Sequence, residues 1–298
     1  LYPDSWGKLI TFGKLRFVRI DLSARWPNLS AAEKPLIADR QKTFGPFGTR
    51  KSANAYITAL RTAFGLCHRP DLIDSPDRAA TCPYLQMHTC PAPCVGNISR
   101  PDYFSQIDKA VSAAGGQGAQ YADRIRNEMM QHAAGKQFEA AAAGKKRLAA
   151  LDLLKRSEYR WTRDISKLAI LHIDRWARIS PPGKKRKSQS YAVYLVKGGQ
   201  ILDCGDFLLD DLAGVYRTLG DHLERPTGQI ATGELKETLA IAASFLYRSN
   251  PPGIWIDCSA DETPRRLPPQ QHILDAIAER FPPSPGTTRQ QPKKNVDT

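Results

Sequence analysis

The N-terminal part of the chain alternates between apolar and polar positions. In GKLRFVRIDLSARWPNL, residues 13–29, the alternation from Leu15 to Leu22 predicts a β-strand, and Trp26-Pro27 predicts the turn that ends it. The glycines and proline of KTFGPFGTR, residues 42–50, predict a loop. A strand and a loop are therefore expected ahead of the first helix.

Two helices are indicated between residues 52 and 114. Ser52 is the expected N-cap of the first helix, whose apolar residues recur at helical spacing as Ala55, Leu60 and Phe64. The second helix is expected over about 100–114, because Ser99 and Asp102 form a capping box ahead of it. We expect it to end at AAGGQG, residues 113–118, whose glycines indicate a flexible joint.

Residues 119–155 have the pattern of a helical hairpin. The first helix has an apolar stripe at Ile125, Met129 and Ala133, and Gly135 supplies the turn. The stripe of the second helix consists of Phe138, Ala141, Ala142, Leu148, Leu151 and Leu154. Alanine at many contact positions allows close packing but buries little area, so the hairpin is expected to gain stability from a partner.

Beyond residue 160 the pattern changes to a period of two with β-branched and aromatic residues. Two strands are expected in SKLAILHIDRWARI and YAVYLVKGGQILDCGDF, and Gly198-Gly199 predicts a tight hairpin turn. Further elements are expected as helices at about 209–224, 234–248 and 269–281 and as a strand at 253–258. The fold class is therefore α+β, with a cysteine-ligated cluster region, a helical hairpin, and a small antiparallel sheet with packed helices.

These patterns suggest four units along the chain. They are an N-terminal region with the cysteine cluster (1–98), a helical region with the hairpin (99–155), an α+β C-terminal domain (156–281) and a disordered tail (282–298).

The composition adds a strong positive charge. The 298 residues contain 43 Lys and Arg against 30 Asp and Glu, a formal net charge of +13 that favours a polyanionic partner such as DNA. The basic run GKKRKSQS joins two predicted strands, and its tip offers phosphate contacts from Lys184, Lys185, Arg186 and Lys187. A solvated basic loop is the alternative interpretation of this run.

No segment of the sequence indicates a membrane or an export signal. Membrane helices need roughly 18 to 20 apolar residues in succession, and no run approaches that length. We therefore expect a cytoplasmic protein, in which thiols stay reduced and clustered cysteines indicate metal binding rather than disulfides.

Four of the six cysteines follow the spacing C-x14-C-x7-C-x3-C, at Cys67, Cys82, Cys90 and Cys94. Zinc knuckles usually contain two tight pairs, whereas only the last two of these cysteines form one. Four thiolates on a proline-stiffened loop suit an iron–sulfur cluster as well as zinc, so both remain open from the spacing. With four cysteines available, His88 is expected outside the ligand set.

Three segments resemble a known family. KTFGPFGTRKSANAYITALRTAFGLC and CPYLQMHTCPAPCVGNISRPDY are similar to the part of UvrC and Cho-type excision nucleases that follows the GIY-YIG domain. GKQFEAAAAGKKRLAAL resembles the UVR motif of that family, a helical hairpin that docks onto UvrB. The resemblance covers roughly residues 13–154. It implies a 4Fe-4S cluster on the four cysteines, with zinc as the alternative, and a UvrB contact through Phe138, Ala141, Ala142 and Leu148.

The chain also departs from the family pattern. Neither GIY nor YIG occurs, and residues 156–281 do not resemble the second nuclease of the family. Gly144 and Lys146 stand where the family tends to have an apolar residue and an acid. Five aspartates are expected as solvated or capping residues rather than as a catalytic set, namely Asp174, Asp203, Asp206, Asp210 and Asp211.

The resemblance thus implies a UvrC-like component of bacterial nucleotide excision repair. This chain would be its DNA-binding and UvrB-docking portion, with the nuclease site expected upstream. The family consists of DNA endonucleases, but we recognise no catalytic residues in this chain. The alternatives are a non-catalytic iron–sulfur adaptor that binds DNA and a zinc-binding regulator.

Overall fold

The protein is described by a computed structural model. It describes residues 15–73, 75–87, 89–181, 183, 185–226, 231–259 and 267–282. The predictions for His88, for Lys184 and for the tail beyond 282 lie outside these residues. Within them, no helix is long and apolar enough to cross a membrane.

Eight strands and seven longer helices are seen in the described part of the chain. The strands are β1 (Arg16–Asp21), β2 (Leu29–Ala32), β3 (Gln41–Phe47), β4 (Arg163–Asp164), β5 (Ala169–Ile179), β6 (Ser188–Lys197), β7 (Gln200–Leu208) and β8 (Ile254–Asp257). The helices are α1 (Arg50–Phe64), α2 (Arg100–Ser112), α3 (Gly118–Ala134), α4 (Phe138–Leu153), α5 (Ala213–Glu224), α6 (Thr232–Leu246) and α7 (Gln270–Arg280). The α+β class predicted from the sequence is confirmed.

The first sheet has the antiparallel order β2-β1-β3-β4. The loop predicted over residues 42–50 is wrong for 42–47, which form most of β3. Phe44 and Phe47 are fully buried there, and pairing with β1 satisfies the backbone groups that a buried loop would leave unpaired. Gly45 has a packing role, because a Cβ atom at this position would approach the ring of Phe17 to 2.8 Å.

Helix α1 packs on this sheet. Its N-cap is Thr49 rather than the predicted Ser52, since the Thr49 hydroxyl accepts a hydrogen bond from the Ser52 amide at 3.0 Å. The buried face includes Tyr56 and Leu60, whereas the predicted Ala55 is exposed. The rings of Phe47, Tyr56 and Tyr159 pack together with centroids 5.0–5.9 Å apart. This ring cluster joins β3, α1 and the segment that leads to the second sheet.

Helix α2 begins as predicted, with the Ser99 hydroxyl accepting from the Asp102 amide at 3.2 Å. The flexible joint expected over 113–118 is a π-helical turn at Ala113–Gln117 that continues into α3. Gly116, with φ of 117°, makes the kink in this turn. The turn is anchored because Ala114 is buried and its carbonyl accepts a hydrogen bond from the Tyr56 hydroxyl.

Helices α3 and α4 form the predicted hairpin. Gly144 on α4 is buried at the closest approach of the two helices, where a Cβ atom would lie 3.0 Å from Cβ of Met129. The glycine that departs from the family pattern therefore permits the close packing of this hairpin. Leu151 is buried in the same hydrophobic core as residues of β1 and α1. The hairpin is therefore anchored to this core at the end that contains the C-terminus of α4.

The second sheet has the antiparallel order β7-β6-β5-β8, and its β6–β7 turn is at Gly198-Gly199 as predicted. Leu171 and Leu195 face a core shared with α5 and α7. Ile170 and Val196 face the opposite core, which includes residues of α6 and also Phe17 of the first sheet. Helix α6 and this shared core lie between the two sheets, and the hydroxyl of Tyr247 donates to the carbonyl of Pro46 on β3.

A buried lysine closes the C-terminal end of α5. Lys197, only 4% exposed, donates from Nζ to the carbonyls of His222 and Leu223, both at 2.8 Å, and to that of Arg225. The last carbonyls of a helix lack partners within it and carry partial negative charge. The ammonium group therefore donates hydrogen bonds to these carbonyls and balances their partial negative charge. It also connects β6 to α5.

Replacing Lys197 by Met should lower the free energy of unfolding by about 1–3 kcal/mol, because buried carbonyls lose a charged donor. Urea unfolding followed by circular dichroism measures the change. Lys145→Met, at an exposed lysine of α4, is the matched control and should change stability by less than about 0.5 kcal/mol. Equal stability of the two variants would contradict the role of Lys197 as a helix cap.

Candidate functional site: the cysteine loop and its neighbours

The cysteine loop, residues 65–99, connects α1 to α2. It begins at Gly65, whose φ of 63° ends α1 and turns the chain so that Cys67 follows directly. The described residues between α1 and α2 form only single turns of helix, at Pro70–Leu72, Pro76–Ala79, Pro83–Gln86 and Pro93–Val95. Each begins with proline, which fixes φ at a position where the missing N–H costs no helical hydrogen bond.

The loop is anchored to the first core. Leu66, Leu72 and Ile73 are buried, as are Cys67 and Cys82. The amide of Cys67 donates to the Tyr103 hydroxyl at 3.5 Å, and the Tyr103 ring packs edge-on against Trp26 with centroids 5.4 Å apart. Helix α2 thus helps to position the first cysteine.

Cys67 and Cys90 are brought close to each other, although they are distant in sequence. A hydrogen bond between their side chains raises the pKa of Cys67 and lowers that of Cys90 to about 6. The amide of Ala92 also donates to Sγ of Cys90 at 3.4 Å. Backbone amides directed at sulfur favour the thiolate, which is the form that binds metals.

Cys94 belongs to the same group. Burial raises its pKa first of all, and the neighbouring Cys90 and Cys82 raise it further. All four cysteines are free thiols. Within the described ranges, no three or more His, Cys, Asp or Glu converge as the ligands of a single metal ion would. In a 4Fe-4S cluster each of the four cysteines binds a different iron, so their sulfurs surround the cluster instead of meeting at one ion.

Two supporting residues were missed by the sequence analysis. Arg61 of α1 donates from Nη2 to the carbonyl of Leu29 at 2.7 Å. Burial lowers the pKa of Arg61, and the nearby Cys67 partly offsets this by raising it. Its buried Nε has no hydrogen-bond partner within the described structure. His68 stacks on Tyr84, with centroids 4.5 Å apart and planes at 12°. Arg61 lies one helical turn before Gly65, so its position in the sequence could have indicated that its side chain lies near the start of the cysteine loop.

The helical hairpin lies against the same region. Arg147 of α4 donates from Nε to the carbonyl of Ala63 at 2.9 Å, at the end of α1 and close to Cys67. Its Nη1 lies 3.7 Å from Oε2 of Glu128 on α3. One arginine therefore joins both helices of the hairpin to the helix that precedes the cysteine loop.

The predicted partner-binding residues occupy different parts of the hairpin. Phe138 is 70% exposed at the start of α4, and Met130 on α3 is 62% exposed. Ala142 is exposed and Ala141 is half-buried. Leu148 is half-buried and packs against the first core, so it contributes mainly to the anchored end of the hairpin.

The predicted DNA-contact residues lie between β5 and β6. Lys185, Arg186 and Lys187 are exposed there. Two of the predicted aspartates lie within strands and bond to neighbouring backbone. Asp174 of β5 accepts from the Arg175 amide at 2.7 Å, and Asp203 of β7 accepts from the Gly205 amide at 2.8 Å.

Residues 17–113 match the family model of the UvrC/Cho excinuclease middle domain. This range includes β1 to β3, α1, α2 and the whole cysteine loop. These residues are therefore similar to the middle domain of UvrC/Cho excinucleases, as the resemblance predicted.

The curated relatives agree with this match. UvrABC system protein C of Geotalea daltonii is 32% identical over 125 residues, which are 42% of this chain and 20% of the relative. The protein of the same name from Geobacter metallireducens is 26% identical over 212 residues, 70% of this chain and 33% of the relative. The chain thus spans about a fifth to a third of the length of these relatives. No solved structure matches the chain.

Replacing Arg147 by Met should loosen the hairpin from α1, because the bond to Ala63 is lost. We expect the free energy of unfolding to fall by about 1–2 kcal/mol and limited proteolysis near residues 135–137 to become faster. Arg126→Met is the matched control, since Arg126 contacts Asp123 one turn away on an exposed face of α3. If both variants resisted proteolysis equally, the docking role of Arg147 would be wrong.

Proposed function

We propose that this chain is the DNA-binding and partner-docking portion of a UvrC-type excinuclease in nucleotide excision repair. The observation that supports it best is the cysteine loop within the matched middle region. There the side chains of Cys67 and Cys90 are close to each other, and the amide of Ala92 donates to Sγ of Cys90. The nuclease site is proposed to lie outside these residues, and the proposed location is the cytoplasm.

Cys67, Cys82, Cys90 and Cys94 are the proposed ligands of a 4Fe-4S cluster. Their donor set fits the group, because four thiolates complete its coordination and amide hydrogen bonds to sulfur help to set its reduction potential. The half-buried Arg61 near Cys67 adds a positive charge beside a group that carries several thiolates. When bound, the cluster would supply one-electron chemistry and would crosslink a loop that has only single turns of helix.

Replacing Cys90 by Ala should abolish the brown colour and the broad absorbance near 400 nm expected of anaerobically purified protein, and should lower iron from about four to near zero. Cys204→Ala is the matched control, because Cys204 is also a free thiol but lies in the second sheet. Its iron content should be unchanged. One zinc per chain and no sulfide in the unaltered protein would favour the zinc-binding regulator instead.

The hairpin is proposed to dock onto UvrB through its free end. Phe138 and Met130 are both largely exposed there, whereas Leu148 and Leu151 fasten the other end to the first core. Exposed apolar side chains on a well-anchored hairpin are typical of surfaces that a partner covers. Phe138 is the proposed anchor because aromatic residues contribute disproportionately to such interfaces.

Phe138→Ala should weaken binding to UvrB by about tenfold or more in a calorimetric titration, because the main apolar anchor is removed. Ile37→Ala is the control at another exposed apolar side chain, which lies outside the hairpin. Its affinity should match that of the unaltered chain. Unchanged binding by Phe138→Ala would remove the docking role from this end of the hairpin.

DNA is the proposed substrate of the complete enzyme, and this chain would contribute to holding it. The net charge of +13 and the exposed Lys185, Arg186 and Lys187 support phosphate contacts that do not depend on base sequence. An adaptor that binds DNA without a nuclease is the second candidate. It is favoured because Asp174 and Asp203 each accept a hydrogen bond from a nearby backbone amide, which is an ordinary structural role.

A further inference from the structure

One tryptophan of the second sheet is largely exposed. Trp176, near the end of β5, has 61% of its surface exposed, whereas Trp161 is buried. β8 pairs with β5 only as far as Ile173, so beyond this residue the outer side of β5 has no strand beside it in the described structure. The end of β5 and the start of β6 therefore extend the sheet as an arm, which we define as residues 174–179 and 185–190.

A β-bulge fixes the backbone at this tryptophan. Arg175 pairs with Tyr191 and Arg178 pairs with Gln189, so β5 has one more residue than β6 between these pairs. The side chain of Gln189 donates from Nε2 to the carbonyl of Trp176 at 2.9 Å. The Ser190 hydroxyl donates to the carbonyl of Ala177, also at 2.9 Å.

These two side chains satisfy the carbonyls that the bulge removes from the ladder. Bulges commonly redirect a side chain beside a functional site, and this one is built around the exposed Trp176. Holding a large apolar side chain in water gives the fold no burial energy. The bulge at Trp176 therefore needs an explanation outside the folding of the chain.

The charges around Trp176 indicate the class of ligand. Arg178, Lys185, Arg186 and Lys187 are all exposed on the arm. Across the described ranges, none of these four cations makes an ion pair. Unpaired cations beside an exposed aromatic ring match the needs of single-stranded nucleic acid, which offers phosphates together with open base faces. In an intact duplex, the base faces are already covered by neighbouring bases.

We propose that the arm binds unpaired DNA bases, with Trp176 stacking on a base while Arg178, Lys185, Arg186 and Lys187 contact the neighbouring phosphates. This inference rests on the proposed function for the identity of the nucleic acid. It adds that the strand is unpaired where the arm contacts it, as it is in a locally opened duplex. Arg175 is not included among the proposed DNA contacts, because its guanidinium already lies over the Phe281 ring, 4.8 Å from the ring centroid.

The test compares three fluorescein-labelled DNAs by anisotropy with the full chain: a single strand of thymidines, a fully paired duplex, and the same duplex with a central unpaired bubble. Trp176→Ala should weaken binding to the single strand and to the bubble by about 5- to 50-fold and leave duplex binding unchanged. Trp176→Phe should retain most of the affinity, because a smaller ring still stacks. Ile201→Ala is the matched control at an exposed apolar side chain of the same sheet.

A triple replacement of Lys185, Arg186 and Lys187 by Ala separates base stacking by Trp176 from phosphate binding by the basic residues. It should weaken binding to all three DNAs and reduce the salt slope by about two to three. If Trp176→Ala changed no affinity while the triple variant did, the stacking inference would be wrong and DNA binding would stand. If the unaltered chain bound none of the three DNAs, the DNA-binding part of the proposed function would fail as well.

Vesicles containing anionic lipids supply the last comparison, since exposed tryptophan and lysine also occur together at membrane surfaces. Binding to vesicles that depends on Trp176, together with DNA binding that does not, would overturn the inference. Thermal unfolding should be the same for the unaltered chain and for Trp176→Ala, because the side chain is exposed.

Discussion

The burial of one face of α1 is the interaction on which most of the N-terminal structure depends. Tyr56 and Leu60 pack against the first sheet, and the Tyr56 hydroxyl holds the π-helical turn that leads to α3. The same helix ends at Gly65, which directs the chain into the cysteine loop. A helix fixed by its apolar face thus determines the position of Cys67, while Arg61 reaches back to β2 from the same helix.

The cysteine loop and the hairpin are attached to this helix in different ways. The loop has little regular structure, so its backbone is held in place by buried Leu66 and Ile73 and by the contact with Tyr103. The hairpin is anchored at one end by Leu151 and Arg147, and its other end projects Phe138 into solvent. An anchored end and a free end allow one hairpin to stabilise the middle region and still present the proposed docking surface.

The second sheet forms a separate platform with packed helices on both faces. Its hydrophobic cores are closed by α5, α6 and α7, and buried Lys197 secures the end of α5. With both faces occupied, the part of this domain that remains available for recognition is the arm at one end of the sheet. There the bulge at Trp176 and the basic residues lie together. The two sheets share the core around α6, which connects the platform to the middle region.

Local patterns in the sequence were sufficient to predict the helices and the Gly198-Gly199 turn and to single out the cysteine spacing. Caps, turns and apolar periods act over only a few residues. The same local rules misassigned β3, since its glycine and proline indicate a loop while the burial of Phe44 and Phe47 makes it a strand. Only the tertiary structure brought Cys67 to Cys90 and directed Trp176 outward. Contacts between distant residues depend on how elements pack, and a β-bulge depends on the register between two strands, which neither strand encodes alone.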